Sequence, residues 1–495
     1  MHHNKAIIIG SGIAGLASAI RLAVAGMKVD VYERNALPGG KLSYFEKAGY
    51  CFDAGPSLFT QPANIEELFT LAGESLSEYL QYEPVSISCK YFYENGTIIN
   101  AYTNKESFSE ELLNKTGEPK EPVIRYLNRS ESLYNDTGTV FLNNSLHKRS
   151  TWFHSRIFKV FRSLRFSYLF RSLASYNNTI FKQPEVKQLF NRFATYNGSN
   201  PYKAPAMLSL IPHLELNEGT FYPAGGMKSI TDALYRLAIK KGVTFYFNTT
   251  VEKIIHTEAK VKGVVVNHEN IPADIVISNA DAYFTFNELL GNHVRAKKLL
   301  KKARSSSAIL FYWGIKKLHP QLELHNIFFS NNYKEEFNCI ANKTISADPT
   351  IYVNITSKME AGHAPSGHEN WFVMINVPPN TGQDWEILKR ESRKKIIDKI
   401  NRVLATDIEP LIEFEESMDP VMLEEKTGSF MGALYGASSN SKMAAFSRPP
   451  NFTSFAKGLY LCGGTVHPGG GIPLCLKSAK ITADIILRDC KSGHK

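Results

Sequence analysis

Apolar and polar positions change their period several times in the first forty residues. Ala6-Ile7-Ile8-Ile9 is a continuous apolar run ended by Gly10, the pattern of a short strand buried on both faces. An Ala/Leu-rich helical stretch follows to about Ala25, Gly26 stops it, and Lys28-Val29-Asp30-Val31-Tyr32 reads as a second strand ending at Glu33. A strand–helix–strand unit is therefore predicted at the start of the chain.

Later segments predict two kinds of layer. Gly242 to Phe247, Thr249 to Ile254, Gly263 to Val266 and Ala273 to Asp281 read as strands that complete the first unit's sheet. A strand from Gly219 turns through Gly225-Gly226 into a helix over Lys228 to Lys240. Pro122 to Asn197 reads as mostly helical, and a further helix is predicted over Met207 to His213. From about residue 300 the β-branched and aromatic runs Ala308–Trp313, Asn326–Phe329, Ile351–Ile355 and Trp371–Ile375 predict one larger antiparallel or mixed sheet. Trp385 to Leu404 is an amphipathic helix with Leu388, Ile396, Ile400 and Val403 near one face. At the far end, Gly458 to Gly464 is a strand ending in glycines, Thr465 to Pro473 a glycine loop, and Leu474 to Leu487 a helix. The expected organisation is an α/β, Rossmann-type unit assembled from 1–75, 222–295 and 445–495, and an α+β, mixed-sheet and helical unit from 76–221 and 296–444.

The turn between the first strand and helix is Gly10-Ser11-Gly12-Ile13-Ala14-Gly15, a G-x-G-x-x-G match. Gly10 permits the tight turn, Gly12 lets a pyrophosphate approach the backbone, and Gly15 lets helix and strand pack closely. The amides at the helix start, with its dipole, favour an anion there. Glu33 lies eighteen residues past Gly15, where a carboxylate can accept bonds from ribose hydroxyls. Strand, glycines, helix and acid together predict a dinucleotide site. Pro38-Gly39-Gly40-Lys41 is a second glycine turn, and Phe52-Asp53-Ala54-Gly55-Pro56-Ser57-Leu58 reads by itself as a Gly-Pro turn with Asp53 bonding local amides.

Composition sets bounds. The chain has 495 residues, 43% hydrophobic and 21% charged, ordinary for a folded protein of two or three domains. Six scattered cysteines without a C-x-x-C pair fit a reduced, cytoplasmic setting rather than a disulfide frame or a metal site. No signal peptide is read, and no apolar run is long enough to span a membrane. The net charge is +10, and no Asp or Glu occurs between Thr137 and Pro184, where eight Lys and Arg interleave with Trp and Phe. On a helix, Ile157, Val160, Phe161, Leu164 and Tyr168 would share a face, the pattern of a segment lying in a membrane interface or packed on the protein's own core. No nucleic-acid module accompanies the charge.

Six motifs, in order, carry a family resemblance over nearly the whole chain. They are the glycine loop with Glu33 and Gly39-Gly40, Phe52-Asp53-x-Gly55-Pro56, Tyr222-Pro223-x-Gly225-Gly226-Met227, Ser278-Asn279-Ala280-Asp281, Arg448-Pro449-x-Asn451, and Tyr460-Leu461-Cys462-Gly463 with His467-Pro468-Gly469-Gly470-Gly471-Ile472-Pro473. The sequence resembles the bacterial-type carotenoid (phytoene) desaturases, which are related to amine oxidases. That resemblance implies non-covalent FAD and hydride loss from an allylic C–H of a long apolar carotenoid. It implies that Gly10, Gly12, Ile13, Ala14 and Gly15 face the pyrophosphate, with Glu33 and Arg34 at the adenosine end and Val251 beside the adenine. Gly39, Gly40, Lys41, Gly55, Pro56, Ser57 and Leu58 would border the ribityl and ring end, with Asn279, and Gly463, Gly464, Gly471 and Ile472 would cap the ring. Thr465-Val466 stands where the family commonly has Gly-Thr, and Ile472 to Cys475 lacks a further usual glycine. The segment Arg192 to Pro205 looks like the branch that performs 3,4-desaturation of 1-hydroxycarotenoids. Phytoene desaturation, carotenoid isomerisation and other amine-oxidase-like oxidations remain alternatives, and a non-enzymatic prenyl-binding escort shares the fold class. Peripheral membrane loading of the substrate is expected. No residue pattern identifies the electron acceptor, and no catalytic base is assigned. His213, Glu215, Glu218 and His467 are polar residues near the junctions for which a structural role is the simpler reading.

Overall fold

The computed structural model describes residues 5–152, 167–257, 259–441 and 448–492. Strand β1 (Lys5–Ile9), helix α1 (Ile13–Val24) and strand β2 (Lys28–Tyr32) form the predicted unit. Every residue of α1 from Ile13 to Leu22 is buried, because the helix packs between Lys228–Lys240 and Ile472–Ser492. That explains its continuous Ala/Leu composition: a helix covered on several sides has no polar stripe to show.

β1 and β2 lie inside a five-stranded parallel sheet in the order Leu459–Leu461, Ile275–Ser278, β1, β2, Thr244–Tyr246. The sheet is thus drawn from four separated stretches of chain. Two predicted members fall elsewhere. Val251–His256 and Val261–Val266 pair antiparallel with each other and, through Glu269–Pro272, form a separate three-stranded sheet. Both carry exposed positions, where Ile275–Ser278 is buried at all four, as a strand inside a covered parallel sheet must be.

The second sheet has seven strands in the order Ile412–Met418, Ser307–Ile315, Glu369–Val377, Ile351–Asn354, His325–Phe328, Ile87–Phe92, Ile98–Tyr102. Its one parallel pairing joins Ile87–Phe92 to His325–Phe328, so the sheet is mixed. Helix Trp385–Leu404 covers one face, burying Ile396 and Ile400 against Trp313, Trp371 and Val373. Each fully buried side chain of this size contributes roughly 1.5–3 kcal/mol. The hairpin Tyr44–Lys47 and Tyr50–Asp53 lies in the first stretch of chain yet packs its Tyr50 and Phe52 on the other face, with Leu310, Tyr312 and Phe372. Met207 to His213 is not one helix. Ala206–Leu210 is a 3₁₀ turn, and a π turn spans His213–Asn217 after Pro212. Proline supplies no amide for a continuing helical ladder.

Candidate functional site

The glycine loop is shaped by contacts that leave no room for side chains. Gly10 has φ +93°. A Cβ on Gly15 would stand 2.2 Å from the Gly10 carbonyl oxygen, so helix and strand touch through bare backbone. Gly12 precedes α1 as its N-cap and makes no side-chain cap bond. The first amides of α1 have no acceptor within the helix and point out of its N-terminus. The neighbouring turn docks directly: Gly39 donates its N–H to the Ser11 carbonyl at 3.0 Å, and a Cβ on Gly40 would meet Gly12 Cα at 3.3 Å. Gly55 closes on the same turn, since a Cβ there would stand 1.8 Å from the Lys41 carbonyl.

Glu33 is buried at the end of β2. Its Oε2 accepts the N–H and the hydroxyl of Ser11, both at 2.8 Å, and its Oε1 accepts the Asn35 N–H at 2.9 Å. The carboxylate therefore also clamps the glycine loop to β2. Ser11 is an x of the glycine pattern, and no spacing argument singles it out. Thr249 donates its N–H to the Glu33 carbonyl at 2.9 Å, bringing the strand that Val251 opens beside the same corner. Arg34 points elsewhere: it is exposed and donates to the Glu425 carbonyl at 2.7 Å.

Asn279 follows the strand Ile275–Ser278 and reaches both glycine loops. Its Oδ1 accepts the Gly15 N–H at 2.9 Å, and its Nδ2 lies 3.4 Å from the Cys462 carbonyl. The space that a Cβ on Gly12 or Gly463 would need is occupied by this amide, at 2.9 and 2.5 Å respectively. Gly464 packs on Gly470, whereas a Cβ on Gly471 would meet no atom within 4 Å, so the loop is open there. Ile472 begins the last helix two residues earlier than predicted and buries its side chain in the cluster that holds Ile13 and Leu16. Sequence positions 10–15, 39–41, 55, 279 and 463–472 thus converge on one place.

Two motif residues without a predicted role hold the last loop. Arg448 donates Nη1 to the carbonyls of Tyr435 and Gly464, each at 3.0 Å, and Nη2 to Ala437 at 3.1 Å. Burial pulls its pKa down to about 10. Asn451 donates Nδ2 to the His467 carbonyl at 2.9 Å and lies 3.1 Å from Ser478 Oγ. The departures at 465–466 are also accommodated: Thr465 Oγ1 accepts the Ala282 N–H at 2.9 Å, and Val466 is core. Lys41 donates to the Leu434 carbonyl at 2.8 Å, and burial lowers its pKa.

Asp53 does not bond local amides. Both its oxygens accept the Met227 N–H, at 3.0 and 3.1 Å, at the start of Lys228–Lys240, and burial pushes its pKa up to about 6. Ser57 leaves the glycine cluster and meets the seven-stranded sheet, its hydroxyl 2.7 Å from that of Tyr352. Pro56 is exposed and Leu58 half-buried beside it.

The junction residues are held by neighbouring side chains and backbone. Glu215 is buried against Arg192, whose Nη2 lies 3.0 Å from each carboxylate oxygen, and against Ser88 and Tyr196. Burial opposes its ionisation, but the Arg192 charge and these bonds prevail and hold its pKa low. His213 pairs with Glu218 at 3.4 Å. His467 donates Nε2–H to the Asn144 carbonyl at 2.9 Å, and burial pulls its pKa down to about 4. Of the basic, aromatic stretch, 153–166 lies outside the described residues, which takes in Ile157, Val160, Phe161 and Leu164. Trp152 and Phe170 at its borders are 36% and 59% exposed. Among the described residues no helix is long and apolar enough to cross a membrane, and no cluster could hold a metal ion.

Comparison with known proteins agrees with this geometry. The family model for flavin containing amine oxidoreductases matches residues 13–487. The 1-hydroxycarotenoid 3,4-desaturase of Flavobacterium sp. (strain P99-3) is 49% identical over 97% of this chain and 99% of its own. The 4,4'-diapolycopene oxygenase of Methylomonas sp. is 31% identical over 98% and 99%. An oxidoreductase from Methanosarcina mazei has the same fold, with TM-score 0.64 at 17% identity over 98% of this chain and all of that one.

Proposed function

This chain belongs to the flavin containing amine oxidoreductase family and to its carotenoid desaturases, and we propose that it removes two hydrogens across C3–C4 of a 1-hydroxylated acyclic carotenoid end. The observation that carries the reading is the 49% identity, along the full length of both chains, with a protein of that activity.

The cofactor is FAD, and the residues present fit it. The outward amides at the start of α1, the bare Gly12 and the open space at Gly471 leave backbone that a diphosphate and a ring can approach. In this reading Gly12, Ile13, Ala14 and Gly15 hold the pyrophosphate, Glu33 the ribose, and Val251 the adenine. Gly39, Gly40, Lys41 and Gly55 border the ring that Gly463, Gly464, Gly471 and Ile472 cap, and Pro56 to Leu58 lead from it to the seven-stranded sheet. These residues come from 1–75, 222–295 and 445–495, which together form the cofactor unit. When bound, FAD supplies a two-electron acceptor for the hydride. The chain's own part is positioning and exclusion of water. Apolar rings of Tyr312, Phe372, Phe45 and Phe52 pack where the seven-stranded sheet meets the cofactor loops. Loss of hydride beside a polyene leaves a delocalised cation, so the following proton loss needs no strong base.

A long apolar substrate resides in a bilayer, and the composition of the basic, aromatic stretch between Thr137 and Pro184 supports loading from an anionic membrane, with no helix among the described residues able to span one. The test of function is incubation of the flavin-loaded protein with 1'-hydroxy-γ-carotene-type and deoxy substrates. A product lighter by two hydrogens with red-shifted absorbance is expected. Unchanged mass with shifted absorbance would assign an isomerase instead.

A further inference from the structure

One buried polar cluster is out of place on the seven-stranded sheet. Around Arg192 and Glu215 stand Ser88, Tyr91 and Tyr196, and beyond them His325 and Tyr352, beside a core of aliphatic and aromatic side chains. Burying such groups costs several kcal/mol per unpaired charge, so they must be satisfied or serve a purpose. Glu215 is satisfied: Arg192, Ser88 and Tyr196 fill its acceptor positions. Two donors are not. Arg192 Nε and His325 Nε2 are both buried and have no hydrogen-bond partner among the described residues.

The tautomer of His325 follows from its neighbours. Nδ1 lies 3.1 Å from the Asn354 amide nitrogen, a donor, and so acts as an acceptor. Burial pulls the ring's pKa down to about 4, so the ring is neutral and its proton sits on Nε2. His325 is 2% exposed, so this N–H is a buried donor that a ligand oxygen would satisfy. The charges of Glu215 and Arg192 act on this ring, so His325 belongs to their cluster.

Position supplies the class of ligand. His325 Nδ1 lies 2.8 Å from the Tyr352 hydroxyl, which lies 2.7 Å from Ser57 Oγ. Two hydrogen bonds and the width of an imidazole therefore separate the Gly55–Leu58 loop from the free N–H. In a 1-hydroxylated end, the oxygen on C1 is only a few bonds from C3–C4. An oxygen held at His325 leaves C3–C4 within reach of what that loop borders.

We propose that His325 is the specificity-determining residue, its Nε2–H donating to the hydroxyl oxygen of the carotenoid end, in a cluster whose Arg192–Glu215 pair fixes the surrounding polar groups. This rests on the 3,4-desaturase reading above. It makes the chain a reader of one oxygen on an otherwise featureless hydrocarbon. A site built to bond a hydroxyl rejects the analogue lacking it far more strongly than an apolar pocket rejects an extra group.

The test compares hydroxylated and deoxy ends of the same carotenoid on wild type, H325L and H325Q, each checked for bound flavin and unchanged melting. H325L is expected to lose about tenfold to hundredfold in kcat/KM toward the hydroxylated end, chiefly in KM, with little change toward the deoxy end. H325Q, which restores an N–H donor, should recover most of that loss. If H325L keeps the wild-type preference, the assignment is wrong. Should neither variant hold flavin, wild type with an O-methylated 1-hydroxyl decides: turnover near that of the hydroxylated end supports a protein donor, and turnover as slow as the deoxy end overturns it. A wild type that leaves the hydroxylated substrate's mass unchanged sinks the desaturase reading itself, a result separable from the others.

Discussion

The side-chain oxygen of Asn279 accepts the backbone N–H of Gly15 at 2.9 Å across 264 residues of sequence. One small amide thereby joins the first glycine loop to the last, since its other end lies 3.4 Å from the Cys462 carbonyl. Asn279→Ala is expected to weaken flavin binding about two- to tenfold, the worth of one neutral hydrogen bond. Asn279→Asp should weaken it more, because a carboxylate would face the diphosphate. Titration of the apoprotein with FAD, followed by flavin fluorescence, measures both. Equal affinity in all three proteins would refute the role.

Glu33 holds Ser11 and Asn35 with three bonds to a charged acceptor. Glu33→Ala should cost about 2–3 kcal/mol of flavin affinity, roughly thirtyfold or more, with Glu33→Gln intermediate. Ser11→Ala, which removes one of the three, should give a smaller loss of the same kind.

Gly15→Ala places a methyl 2.2 Å from a backbone oxygen that cannot swing aside. A loss of at least about 1–3 kcal/mol is expected, read as a lower melting temperature and a colourless preparation. A yellow Gly15→Ala protein melting like wild type would contradict the packing described.

Asp53 predicts an acid-side dependence of a particular sign. Its folded pKa of about 6 lies above the ordinary carboxyl value of 3.8, so between these values the folded state holds a proton that the unfolded state has lost. Its contribution is full below the lower value and is lost as pH rises through about 6, amounting to at most about 3 kcal/mol. Glu369 has the opposite sign: burial opposes ionisation, but bonds from His319, Lys358 and Trp371 hold its pKa at about 2, and its stabilisation fades as pH falls from 4.5 toward that value. Melting curves from pH 4 to 7 should show Asp53→Asn relatively stabilised at the upper end. A parallel offset at every pH would refute the shift.

Reversing Arg156, Lys159, Arg162 and Arg165 to Glu should abolish co-flotation with anionic liposomes, since each cation near such a surface is worth about 1 kcal/mol. Wild type that never floats with anionic lipid would refute the membrane-loading reading.

Where backbone chemistry dictates local geometry, the fold was legible in the residues. Gly10, Gly12 and Gly15 can serve only a narrow set of turns, and Trp385–Leu404 has both its period and its ends written into it. Val251 to Val266 was assigned to the wrong sheet because β-propensity does not name a partner strand. Asp53 was read as local because its acceptor role at Met227 depends on a contact between distant stretches, and Asx turns are the commoner use of that residue type. His325 gave no signal at all. It is a lone histidine opening a strand of ordinary composition, and its meaning depends on Ser57, Tyr352, Arg192 and Glu215 meeting around it.

The parallel sheet has one further consequence, for the order in which the molecule can be made. During synthesis the chain emerges from its beginning, and β1, β2, Thr244–Tyr246 and Ile275–Ser278 are all available long before Leu459–Leu461. Through that interval Ile275–Ser278 is an edge of three apolar residues and a serine whose outer N–H and C=O groups lack their partner, a template for association with another chain. The glycine loop of Gly463 to Ile472, the cap in the proposed cofactor site, arrives only with the same closing strand. A nascent chain therefore carries an unfinished sheet and an incomplete set of the glycine turns together, and a single late strand ends both conditions.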